Sequence, residues 1–75
     1  MKVKIITGGW ARRYIADGAT ELTLPYGATV ADALAALPVP PGETGIVTVG
    51  GKQVKENFRL SEGDNLKLYP VIIGG

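Results

Sequence analysis

At 75 residues the chain makes one domain, and a chain this short buries only about 60% of its unfolded surface. It has no Cys and no His, so a disulfide or a Cys/His zinc site cannot reinforce it, and a free-standing hydrolase lacks its commonest general base and its best side-chain nucleophile. A net charge of +1 is too weak to draw in nucleic acid or a membrane surface from a distance, and no apolar stretch approaches the ~20 residues of a membrane span.

With 45% hydrophobic and 20% charged residues the composition is globular, and a compact two-layer fold with a modest aliphatic core is the expected solution. The start, "MKVKIITGG", lacks the separate charged and apolar regions of a secretory signal. The expected location is therefore cytoplasmic.

"KVKIIT", residues 2 to 7, alternates Lys2 and Lys4 with Val3 and Ile5, which predicts a half-buried strand. Gly8-Gly9 breaks it, and "WARRYIADGA" is a connection longer than a tight hairpin. "TELTLP" alternates again, with Leu22 and Leu24 on one face, and ends at Pro25 and Gly27. In "TVADALAAL" the period changes: Val30, Leu34 and Leu37 fall at i, i+4 and i+7, one helical face. Thr29 is placed as the N-cap, with Asp32 three residues on completing a capping box. "PVPPG", residues 38 to 42, stops this helix, because successive prolines cannot continue its hydrogen bonds.

"GIVTV" predicts a buried strand, Gly50-Gly51 a hairpin turn, and "KQVK" a short return strand. "LSEGD" is a turn with Asp64 in it. "NLKLYPVII" is the last strand, leaving the sheet near Pro70, which cannot donate to a ladder. The order β-β-α-β-β-β predicts an α+β fold, a mixed sheet of about five strands packed on one α-helix. The whole chain, 1–75, forms a single domain, with a flexible C-terminal tail over about residues 70–75.

"GGK" at residues 50 to 52 lacks phosphate-loop spacing: position 46 is Ile and Gln53 stands where Ser or Thr would hold Mg²⁺. It reads as a hairpin turn. "WARRY" sets Arg12 and Arg13 between Trp10 and Tyr14, a combination that can stack on RNA. In a nearly neutral chain it reads instead as a solvated loop edge with Trp10 tucked onto the core. The carboxylates Asp17, Glu43, Glu56, Glu62 and Asp64 show no pairing for acid–base or metal chemistry.

"ELTLPYGATVADALAAL", "IVTVGGKQV", "LSEGDNLKLYP" and the final Gly74-Gly75, in this order over nearly the whole chain, resemble the ubiquitin-like β-grasp sulfur carriers, the family of the molybdopterin synthase small subunit and the thiamine-biosynthesis sulfur carrier. Pro70 sits where the molybdopterin branch begins its proline-rich tail, and "PYGATVADAL" is closer to that branch. Val71 and Ile73 depart from it, standing where that branch has a second proline and a small residue.

The resemblance implies a carrier rather than an enzyme. An α-carboxyl with a pKa of roughly 3.3–3.7 is ionised at neutral pH and is a poor electrophile. The family's answer is an E1-like adenylating enzyme that uses ATP to form an acyl-adenylate on Gly75. A sulfur donor then displaces AMP and leaves a thiocarboxylate. Gly74 would thread a narrow channel where a Cβ does not pass. Phe58, Tyr69, Pro70, Val71, Ile72 and Ile73 are the expected partner-binding residues, an apolar segment able to dock on a partner's sheet edge or groove.

The implied partners are the adenylating enzyme and a downstream synthase, either the molybdopterin synthase large subunit or a thiazole synthase. No cofactor, metal, nucleic acid or membrane partner is expected for the carrier itself. Three alternatives stand beside molybdopterin biosynthesis: a thiamine thiazole sulfur carrier, a ubiquitin-like modifier joined to lysines through Gly75, and a β-grasp module that binds RNA or protein with an inert tail.

Overall fold

The structure, a computed structural model, describes residues 1–72. Strand β1 (Lys2–Ile6) follows from the alternation of its sequence: Val3 and Ile5 are buried while Lys2 and Lys4 are exposed. Strand β2 (Ala19–Thr23) runs antiparallel to it, with Val3 facing Leu22. The connection between them, left without an assigned structure by its sequence, opens with a short 3-10 helix over Gly8–Ala11. Ala11 and Ile15 are buried, and Trp10 and Tyr14 pack partly buried against the core.

Helix α1 (Val30–Ala35) starts where its cap predicts. The Thr29 hydroxyl accepts from the Asp32 amide at 3.3 Å, and the Asp32 carboxylate accepts from the Thr29 amide at 2.9 Å. These two bonds satisfy donors that a helix start otherwise leaves unpaired. Val30, Ala33 and, just past the helix, Leu37 are buried; Leu34 is only half-buried.

Strands β3 (Thr44–Val49) and β4 (Lys52–Val54) form the hairpin. Gly50 and Gly51 both have positive φ, 59° and 84°, the backbone that a two-residue turn matching the sheet's twist requires. Strand β5 (Asn65–Pro70) completes a five-stranded sheet in the order β2-β1-β5-β3-β4. β1 and β5 are parallel and the other pairs antiparallel.

Helix α1 covers one face. Between the layers, Val3, Ile5, Val47, Leu66 and Leu68 of the sheet meet Val30, Ala33 and Leu37. This is the ubiquitin-like β-grasp, one helix held in a mixed sheet. The opposite face is open and carries Lys2, Lys4, Lys67 and Thr48.

Two local readings are corrected. "GIVTV" is not buried throughout: Val47 is buried, but Ile46 points to the open face and is 46% exposed. The last strand stays paired through Pro70 and does not continue as a strand over residues 71 and 72.

Candidate functional site

The region of interest is the end of β5, where the chain leaves the sheet. Its two flanks are built differently. On one side β1 stops at Ile6, which faces Lys67. Thr7 keeps the β1–β2 register, its N–H donating to the Gly18 carbonyl at 2.8 Å, and Gly8, whose N–H would be the next to face β5, turns away and donates to the same carbonyl at 3.0 Å. The place it vacates is taken by a side chain: Trp10 Nε1 donates to the Leu68 carbonyl at 3.0 Å.

This geometry also explains how Pro70 remains in the ladder. Residues 68 and 70 turn their backbone polar groups to the same side of a strand, and Leu68 turns its carbonyl toward Trp10. The N–H that proline lacks would therefore have pointed to the flank that β1 has already left.

On the other flank β3 stays paired up to Thr44, opposite Pro70, with an irregularity between Thr44 and Ile46. Gly45 sits in that irregularity. A Cβ there would lie 3.0 Å from the Pro70 carbonyl oxygen and 3.2 Å from Val71 Cα, so glycine lets β3 press against the outgoing backbone. One residue further, the Val71 N–H donates to the Glu43 carbonyl at 3.0 Å. The Glu43 carboxylate in turn accepts from the Tyr14 hydroxyl at 2.9 Å.

The exit is apolar. Ile46 faces Tyr69 across the open face, close enough for the two side chains to pack, with exposures of 46% and 45%. Val71 and Ile72 extend the strip, and Ile72 is the more exposed at 86%. A shallow depression of about 270 Å³ adjoins it, lined by Ile6, Trp10, Lys67 and Tyr69 among others.

Of the expected partner-binding residues, Tyr69, Pro70, Val71 and Ile72 thus lie together. Phe58 does not join them. Its carbonyl accepts the N–H of Val30 at 2.9 Å, which places it beside the start of α1, across the sheet from Tyr69. Ile73, Gly74 and Gly75 lie outside the described residues.

Ile46 is the residue that sequence reasoning missed. Its signal was the alternation of Ile46 and Thr48 against Val47 and Val49, hidden because every residue in "IVTV" favours a strand.

The body around the exit is chemically plain. Among the described residues no three His, Cys, Asp or Glu side chains gather as a metal would need. A larger groove, about 510 Å³, lies between α1 and the β3–β4 hairpin. Lys55 and Glu56 are the charged residues in its described lining. No helix is long and apolar enough to cross a membrane among the described residues.

The family model described as Mut7-C ubiquitin matches residues 14–73. Among solved structures, SAMP1 from Haloferax volcanii superposes with a TM-score of 0.80 at 20% identity, with all of both chains covered. A Pyrococcus furiosus protein, provisionally named molybdopterin converting factor, subunit 1, superposes at 0.78 and 23% identity, covering 96% of this chain and 99% of that one. A second structure of the Haloferax volcanii small archaeal modifier protein 1 gives 0.76 at 16% identity, covering 95% and 98%. At such identities these likenesses speak for the fold. No curated protein matches the sequence.

Proposed function

The chain belongs to the Mut7-C ubiquitin family, and from that premise we propose that it is a sulfur carrier whose working group is the Gly75 carboxylate. The observation that carries this reading is the exit itself: a strand end held on both flanks that delivers exposed Val71 and Ile72 directly before Ile73-Gly74-Gly75.

In the proposed cycle an E1-like adenylating enzyme binds the apolar strip. The Gly75 carboxylate attacks the α-phosphorus of ATP, expelling pyrophosphate. A hydrosulfide-level donor then attacks the acyl carbon and expels AMP. The resulting thiocarboxylate is the sulfur nucleophile that a downstream synthase uses, most simply in making molybdopterin, with the thiamine thiazole as the other acceptor. The carrier's own residues bind and aim; the nucleotide belongs to the partner. The compact body, the open apolar strip and the shared fold with a molybdopterin converting factor subunit support this reading.

A second reading draws on the shared fold with a small archaeal modifier protein. Here the same adenylate is captured by a lysine amine on another protein, giving an isopeptide bond. Intact-mass spectrometry of the protein purified from its host distinguishes the two. The carrier reading expects a species heavier by the exchange of one oxygen for sulfur, on a chain ending at Gly75. The modifier reading expects a ladder of conjugates. A mature protein with neither, or one continuing past Gly75, overturns both.

A further inference from the structure

The Trp10–Tyr14 segment has no part in the core chemistry and is not basic enough in context to recruit RNA. Its two polar aromatic atoms are nevertheless spent on the same place. Trp10 Nε1 bonds the Leu68 carbonyl at 3.0 Å. The Tyr14 hydroxyl bonds the Glu43 carboxylate at 2.9 Å, and Glu43 holds the Val71 amide through its own carbonyl at 3.0 Å. One short segment therefore touches both flanks of the outgoing chain.

Both aromatic rings are anchored. They pack against the buried core, and the Arg13 guanidinium stands 6.0 Å from the Tyr14 ring centroid. A long-range contact from a side chain to a strand's backbone carbonyl, where a neighbouring strand could have continued, costs regularity. It stands where the Gly8 N–H, turned to the Gly18 carbonyl, would otherwise have continued the β1–β5 ladder.

We propose that Trp10 and Tyr14 form a clamp that fixes the direction in which the chain leaves β5. They are positioning residues: they act through Leu68 and Glu43 and touch no reacting atom. The functional half of this inference rests on the carrier reading above, because a fixed direction matters only if a partner must receive the residues beyond Ile72. A pre-aimed segment loses less conformational freedom on docking, so the clamp lowers the concentration of carrier at which an E1-like adenylating enzyme is half-saturated. It leaves the chemical step untouched.

The test uses Trp10→Phe, Tyr14→Phe and Glu43→Ala, which each remove a bond, and Glu43→Gln, which keeps an acceptor for Tyr14. Amide hydrogen exchange is measured first on the free protein. The expected result is exchange at Val71 faster by about fivefold in each bond-removing variant, the ratio implied by one ordinary hydrogen bond. Glu43→Gln is expected to match the wild type, and Ile5 and Leu66 to stay unchanged throughout. Unchanged exchange at Val71, or equal acceleration at Ile5 and Leu66, overturns the clamp.

The second measurement is pyrophosphate release by the host's E1-like enzyme with ATP and each variant. A KM raised several-fold at constant kcat is expected. Normal KM in variants whose Val71 exchange has risen overturns the positioning role and leaves the carrier reading standing. No pyrophosphate release even with wild-type protein overturns the carrier reading, while the exchange data still decide the clamp.

Discussion

Ile72→Asp separates docking from folding. Ile72 is 86% exposed, so its loss removes almost no packing, and a surface change of this kind shifts unfolding by no more than about 0.5 kcal/mol. For a domain of this size that is a change in melting temperature of at most about 2–4 °C. Docking is different. Fully burying an isoleucine side chain contributes about 1.5–3 kcal/mol, and nearly all of this one is still available to be buried. Forfeiting most of that weakens binding by roughly 10- to 100-fold, and a carboxylate forced into the same groove weakens it further. The assay pairs a thermal melt with the KM for this chain in adenylation by the proposed E1-like enzyme. The expected outcome is an unchanged melt with KM raised at least tenfold. If KM stays at the wild-type value while the melt is also unchanged, the apolar strip is not the docking surface.

Three further outcomes are expected. Gly45→Ala places a Cβ about 3.0 Å from the Pro70 carbonyl oxygen; overpacking of this sort costs about 1–3 kcal/mol, so the melt should fall by at least about 4 °C, and a wild-type melt would show that β3 yields freely. Thr29→Ala removes one half of the capping box and should cost about 1 kcal/mol, read as a shift of about 4–8 °C in the same melt; no shift would mean that packing alone fixes the helix start. Gly74→Ala should melt like the wild type yet block sulfur transfer, because the added Cβ does not pass a close-fitting channel; normal loading and delivery would remove the threading argument.

What the sequence made legible was local. Val3 and Ile5 announced β1 by alternation, Thr29 and Asp32 announced the start of α1 three residues apart, and Gly50-Gly51 announced the hairpin. In each case the deciding physics acts between near neighbours. The exit of β5 resisted the same reading because its determinants are distant. Trp10 and Leu68 are 58 positions apart, and Tyr14 and Glu43 are 29 apart, so neither bond leaves a local pattern. Pro70 read correctly as a residue unable to donate. Whether that ends the strand depends on which flank its missing N–H faces, and the early stop of β1 decides that. Ile46 was misplaced for a related reason: its side is set by pairing with Tyr69 past the irregularity at Gly45, not by its own hydrophobicity.

The parallel pair at the centre of the sheet governs how the molecule comes into being. β1 and β5 are neighbours, with Lys4 opposite Asn65, so the middle of the fold is closed by segments from opposite ends of the described chain. The β1–β2 and β3–β4 pairs are local ribbons, and two-stranded ribbons are barely stable in water by themselves. Among the described residues the sheet pairs neither ribbon with the other, and β5 lies between them. Closing so large a loop carries its entropic cost before any contact rewards it. During synthesis the ribbons would therefore wait, unconsolidated, until β5 has cleared the ribosome. A half-made chain then lacks the paired β5 that carries Tyr69 and Pro70 against β3.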